Sequence, residues 1–162
     1  MMAQHILVSA WLALFTPRNN ISMYLVANPQ LTHDIQAAAD RHNVPATLLF
    51  VLGVNESGLG SNPRARMEWG VPNDQVRHSC RRDPSGCGQD RLHGQLEVGA
   101  RILERAWTTC VRGTHALHVR AAARYYRTGQ CGSDRSTVQY PFNTYILYRR
   151  LERAARRISA ED

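Results

Sequence analysis

The sequence predicts a mainly α-helical fold, on three observations. Apolar residues recur at three- and four-residue spacing through most of the chain, as in Leu96, Gly99, Leu103, Ala106 and Cys110, which is the period of a helix with one buried face. Clusters of Pro, Gly, Asn and Ser punctuate these runs at intervals of helix length. The chain has 162 residues, 43% of them hydrophobic, enough for one core without a second folded unit.

The elements follow in order. The apolar run from Ile6 to Phe15 is too short for a bilayer, which takes about 20 apolar residues, so no transmembrane span is expected. Met1 to His5 contain no Lys or Arg, and no small-x-small cleavage site precedes Pro29. Residues 1–30 therefore read as an apolar N-terminal segment, a helix or strand packed on the domain or on a partner, with an uncleaved export signal as the alternative. Residues 31–162 form the main domain. Thr32 is a good helix cap, and Ile35, Ala38, Ala39 and His42 continue a short amphipathic helix to about Asn43. Pro45 suits the first turn of a second helix, and Leu48, Leu49, Val51, Leu52 and Val54 make it apolar on nearly every side, hence deeply buried. It stops at Ser57-Gly58, and Gly60, Asn62 and Pro63 mark a loop. From Ser61 to His93 the chain is polar, which predicts a long loop that is functional or cross-linked. Two helices follow around Leu96–Cys110 and Leu117–Tyr125. From Thr137 a last helix carries Tyr145, Ile146, Leu147 and Leu151, with a basic face of Arg149, Arg150, Arg153, Arg156 and Arg157.

The 20 basic residues against 13 acidic ones give a net charge of +7, and every basic residue among those 20 is an arginine. Such a field draws a protein toward polyanions, whether cell-wall polymer, membrane or nucleic acid. A nucleic-acid binder is disfavoured, because no nucleic-acid-binding motif accompanies the arginines. The four cysteines, Cys80, Cys87, Cys110 and Cys131, are an even set that points to two disulfides and an oxidising compartment. Pairing Cys80 with Cys87 and Cys110 with Cys131 closes two loops rich in turn residues, while three pairings are open in principle. A zinc site of His78, Cys80, Cys87 and His93 is the weaker alternative, since no tight pair of cysteines is present.

Glu56 stands out chemically. It ends the most apolar helix, on the face that carries Leu52 and Leu49 four and seven positions earlier, and emerges beside a polar loop. Desolvation at such a position disfavours the charged form of a carboxyl group, the property a general acid needs to protonate a glycosidic oxygen. The bland alternative is a helix-end carboxylate bonded to the loop that follows.

The run from Pro45 to Gly60, an apolar helix closing in Glu56-Ser57-Gly58, resembles the signature of soluble lytic transglycosylases and goose-type lysozymes. Gly86-Cys87-Gly88-Gln89 is similar to that family's Gly-x-x-Gln hairpin, Tyr125-Tyr126-Arg127-Thr128-Gly129 resembles its Ala-Tyr-Asn-x-Gly motif, and Tyr145 falls where a last-helix tyrosine is expected. The resemblance spans about Leu31 to Leu151. It implies a lysozyme-like helical domain with a small hairpin or loop region lining a glycan cleft. Glu56 would be acid and then base, Ser57 a polar neighbour of Glu56 and sugar, Gln89 part of the groove and Tyr126 a hydrogen-bonding partner near the carboxyl group. Tyr145 would join the substrate-binding set. Arg127 in place of the usual Asn, and Cys87-Gly88 in place of an apolar pair, depart from the pattern.

The implied reaction cleaves the β-1,4 bond between N-acetylmuramic acid and N-acetylglucosamine in peptidoglycan. Most glycosidases use two carboxylates and substrate-assisted routes use one. No motif supports Glu68, Asp74, Asp83 or Asp90 as a partner, so the single-carboxylate route that forms a 1,6-anhydro ring is expected, with no cofactor. A hydrolytic lysozyme and a non-catalytic wall-binding component of a virion or secretion machine are the alternatives. The expected partner is peptidoglycan, with delivery by a larger assembly into the periplasm or outside the cell.

Overall fold

The computed structural model describes residues 3–62, 64–133 and 139–161, without the side chains of residues 3–5. Eight helices make up the described fold: α1 (Ala3–Leu14), α2 (Asn20–Ala27), α3 (Gln30–His42), α4 (Ala46–Ser57), α5 (Asn73–Arg82), α6 (Arg91–Thr109), α7 (His115–Thr128) and α8 (Gln139–Glu161). The expectation of a mainly helical protein holds, and no described residue lies in a strand. None of these helices is long and apolar enough to cross a membrane. Pro63 and Thr137, read from the sequence as a loop residue and as the start of the last helix, lie outside the described residues.

Helix α4 forms the centre. Leu48, Leu49, Phe50, Val51 and Leu52 are all fully buried, each worth about 1.5–3 kcal/mol of transfer free energy. α3, α8 and α6 pack against it, while α7 bridges α6 and α8. Gly58 ends α4 in the left-handed conformation (φ 63°), with its N–H donating to Val54 and the N–H of Leu59 to Gly53, an arrangement glycine adopts without a Cβ penalty. Pro45 occupies the cap position preceding α4 rather than its first turn. Thr32 lies inside α3, whose cap is Pro29. The periodicity there marks the buried face correctly, but Leu31 and Thr32 are themselves buried, so packing extends the helix one turn earlier than the capping signal.

The apolar N-terminal run joins the same core. Leu7, Ala10 and Trp11 of α1 are buried, and the indole N–H of Trp11 donates to Ser22 Oγ of α2 at 2.9 Å. α1 lies along α8.

Helix α5 overturns the expectation of an unbroken loop from Ser61 to His93. Of its ten residues Val76 is the buried one, so apolar periodicity gives little sign of it. What holds it is covalent and polar. Cys80 is bonded to Cys87, and Arg101 of α6 donates to the carbonyl and hydroxyl oxygens of Ser79 and to the carbonyls of Asp83 and Ser85. The second disulfide joins Cys110 and Cys131, so both bridges follow the pairing expected from the sequence. Because Cys80 and Cys87 are joined, the alternative zinc site loses its two thiolates.

Candidate functional site

Glu56 reaches the surface at the last turn of α4, half-buried, in an open cleft of about 450 Å³ lined also by Asn19, Asn20, Asn55, Ser61 and Asn62. The depression is shallow and polar, unlike the enclosed and mainly apolar pockets that take most small ligands. Amide side chains, able both to donate and to accept, dominate this lining. Among the described residues of the lining, Glu56 is the one carboxylate.

One group bonds the Glu56 carboxyl and a second packs against it. The hydroxyl of Tyr140, in the first turn of α8, donates to Oε1 at 2.9 Å. Gly70 lies against Oε2 so closely that a Cβ there would come within 2.5 Å of it, and its φ of 73° is in the region that favours glycine. Burial of Tyr140, followed by the charge and hydrogen bond of Glu56, pushes the phenol far above its ordinary value of 10. Tyr140 thus remains a hydrogen-bond donor throughout the range in which a carboxyl group titrates.

Gly70 is itself fixed from beneath. The side chain of Gln95, fully buried on α6, accepts from the backbone N–H groups of Trp69 and Val71 and donates to the carbonyl of Val71 at 2.6 Å. One amide side chain therefore satisfies the backbone on both sides of the bend at Gly70, whose own N–H donates back to the Met67 carbonyl at 2.9 Å. Trp69 is the pillar of this arrangement. Its indole N–H donates to the Leu49 carbonyl at 3.0 Å, and its ring passes where a Cβ on Gly53 of α4 or Gly99 of α6 would collide with it. From α7 the hydroxyl of Tyr126 donates to the Trp69 carbonyl at 2.6 Å. Burial, then electrostatic coupling to the neighbouring Tyr140 phenol and the Glu56 carboxyl group, raises the Tyr126 phenol well above its usual value.

The residues expected from the sequence fall into three groups. Glu56 sits at the centre and Tyr126 is brought to the loop behind it, through the Trp69 carbonyl rather than directly to the carboxyl group. Ser57 adjoins the cleft but is buried, its hydroxyl donating to the Glu68 carbonyl and accepting from the Gly60 N–H, both at 2.8 Å; it shapes the loop after α4. Gln89 and Tyr145 are not joined to Glu56. Gln89 lies exposed on another groove, beside Arg66, Arg77 and the Cys80–Cys87 bridge, and Tyr145 is half-buried against the core. The other candidate carboxylates also point elsewhere. Glu68 is buried with Oε1 paired to Arg91 at 2.8 Å, and Asp74, Asp83 and Asp90 lie at the ends of α5 and the start of α6.

Trp69, Gly70, Gln95 and Tyr140 were not read from the sequence. Two signals mark Trp69: Gly53 and Gly99 each interrupt an otherwise good helix, and a helical glycine with a packing reason announces a bulky neighbour. Tyr140 carries no such mark. Comparison of the chain with family models, with curated proteins and with solved structures finds no match.

Proposed function

We propose that the protein is a peptidoglycan-cleaving enzyme, a lytic transglycosylase in which Glu56 is both general acid and general base. The observation that carries the reading is the held carboxyl group: one oxygen takes the Tyr140 hydrogen bond, the other faces a glycine backbone, and the group opens into an amide-lined cleft. A lone carboxyl with fixed orientation suits a reaction in which a single residue transfers protons in both directions. The motif resemblance supplies the substrate class.

In the reaction Glu56 gives its proton to the oxygen that joins C1 of N-acetylmuramic acid to the next sugar, and the C1–O bond breaks. The carboxylate so formed then takes the proton of the 6-hydroxyl of the same muramic acid, whose oxygen bonds to C1. The products are a free 4-hydroxyl and a 1,6-anhydro end, and no water is consumed. Tyr140 keeps the carboxyl aimed through both steps. Gly70 leaves room on the other side. Two disulfides agree with work in an oxidising compartment such as the periplasm or the exterior.

Digestion of purified peptidoglycan by the wild type and by Glu56→Gln, read by mass spectrometry, tests this. Anhydro fragments, one water lighter than hydrolytic ones, are expected from the wild type alone. Reducing ends would make the enzyme a hydrolase. No release by a folded wild type would exclude catalysis on this polymer and leave a wall-binding role.

A further inference from the structure

Arg127 has no part in the chemistry just described, yet it lies beside it. It directly follows Tyr126 in the last turn of α7 and is exposed, and its guanidinium carbon lies 4.5 Å from the centre of the Tyr140 ring. That ring's hydroxyl is the one bonded to Glu56. Cation, aromatic ring and carboxyl group are thus linked in sequence, with Arg127 just outside the residues that line the depression at Glu56.

Several other arginines of the fold are paired with carboxylates. Arg41 bonds Glu97, Arg91 bonds Glu68, and Arg101 approaches Glu97 and Asp83. Among the described residues Arg127 makes no ion pair; its one recorded partner is the face of Tyr140. Stacking there orients the planar group and leaves its edge N–H donors free for a bidentate acceptor, the geometry that matches a carboxylate. The cleft lining itself is rich in neutral amides, so Arg127 is the feature that would distinguish a charged ligand from a neutral one. The sequence resemblance puts an uncharged asparagine at this position, which could not make that distinction.

We infer that Arg127 binds a carboxylate of the glycan held at Glu56, making the cleft selective for acidic over neutral β-1,4-linked N-acetyl sugars. The inference rests on the proposed glycan-cleaving reading and adds a specificity residue to it. The carboxylate is either the lactyl group of muramic acid or one on an attached peptide stem.

Titration calorimetry on the full chain carrying Glu56→Gln, which keeps substrate intact, separates the possibilities. Three probes are used: a muramic-acid-containing tetrasaccharide stripped of peptide, the same glycan bearing stems, and a neutral tetramer of N-acetylglucosamine. One exposed charge-assisted pair predicts a preference of about tenfold for the acidic glycans. If the lactyl carboxylate is the partner, the peptide-free probe alone shows the preference, because a stem is attached through that carboxyl as an amide; if a stem carboxylate is, the stem-bearing probe alone shows it. Adding Arg127→Gln brings the ratio of acidic to neutral affinity close to one, and Arg127→Lys retains part of it. A ratio that Arg127→Gln leaves unaltered, or no preference to begin with, overturns the inference while sparing the glycan cleft. Absence of binding to all three probes overturns both.

Discussion

At the scale of single residues, the site depends on groups whose effects differ in kind. Tyr140 contributes one hydrogen bond to a carboxyl group, and a bond to a charged acceptor is worth about 1.5–3 kcal/mol. Tyr140→Phe, which keeps the ring beneath Arg127, is expected to lower kcat about ten- to a hundredfold with a small change in KM, measured by steady-state release of muropeptides. An equal loss in KM would mean the hydroxyl serves binding instead. Gly70 acts by absence. Gly70→Ala places a methyl group against Glu56 Oε2 and forces a side chain into the left-handed region, so activity should fall at least a hundredfold while the melting temperature drops by a few degrees, read by assay and calorimetry together. These two residues also show where reading the sequence stops. Glu56 was legible because an isolated carboxyl at the end of an apolar helix conflicts with its neighbours, and such conflicts mark function. Tyr140 was not, because a tyrosine beside Pro141 near a helix start fits its local sequence, and its partner lies 84 residues away.

At the scale of elements, the legible helices are those with a buried apolar face, α3, α4, α6, α7 and α8, and the hidden ones are stabilised by other means. α2 is eight residues long, held by the Asn19 cap whose side chain accepts from the Ile21 and Ser22 N–H groups. α5 is polar along nearly its whole length and depends on its bridge to Cys87. The two disulfides should therefore differ in effect. The chain-entropy relation gives about 2 kcal/mol for the short Cys80–Cys87 loop and about 3 kcal/mol for the longer Cys110–Cys131 loop, separations of 7 and 21 residues. Urea unfolding of the paired serine variants checks the order. Loss of Cys110–Cys131 is expected to lower global stability more, whereas loss of Cys80–Cys87 should chiefly raise amide exchange across residues 73–87, since α5 has little apolar burial to fall back on.

At the scale of the whole molecule, a buried carboxylate ties together segments distant in sequence. Glu97 of α6, 3% exposed in its side chain, receives Arg41 Nη2 and His42 Nε2 of α3, both at 2.7 Å, and Arg101 approaches it at 3.4 Å. Gly86 of the disulfide loop packs so tightly over its carboxyl that no Cβ fits there. Burial alone would raise the Glu97 carboxyl, but the hydrogen bonds of Arg41 and His42, reinforced by their charge, outweigh it and hold the group below its ordinary 4.5. A carboxyl depressed in the folded state adds stability that is present above its unfolded value and disappears as pH falls through the folded one. The wild type should accordingly lose stability on acidification below about pH 4.5, measured as midpoint of urea unfolding. Glu97→Gln should be less stable at pH 7 by about 2 kcal/mol, short of the roughly 3–5 kcal/mol for a fully enclosed pair, because Arg41 is half-exposed and regains water. The variant should also lose less than the wild type on going to pH 3, since its amide cannot take up the proton. Parallel acid limbs in the two proteins would place the acid sensitivity on other carboxylates and reduce Glu97 to a packing residue between α3, α6 and the disulfide loop.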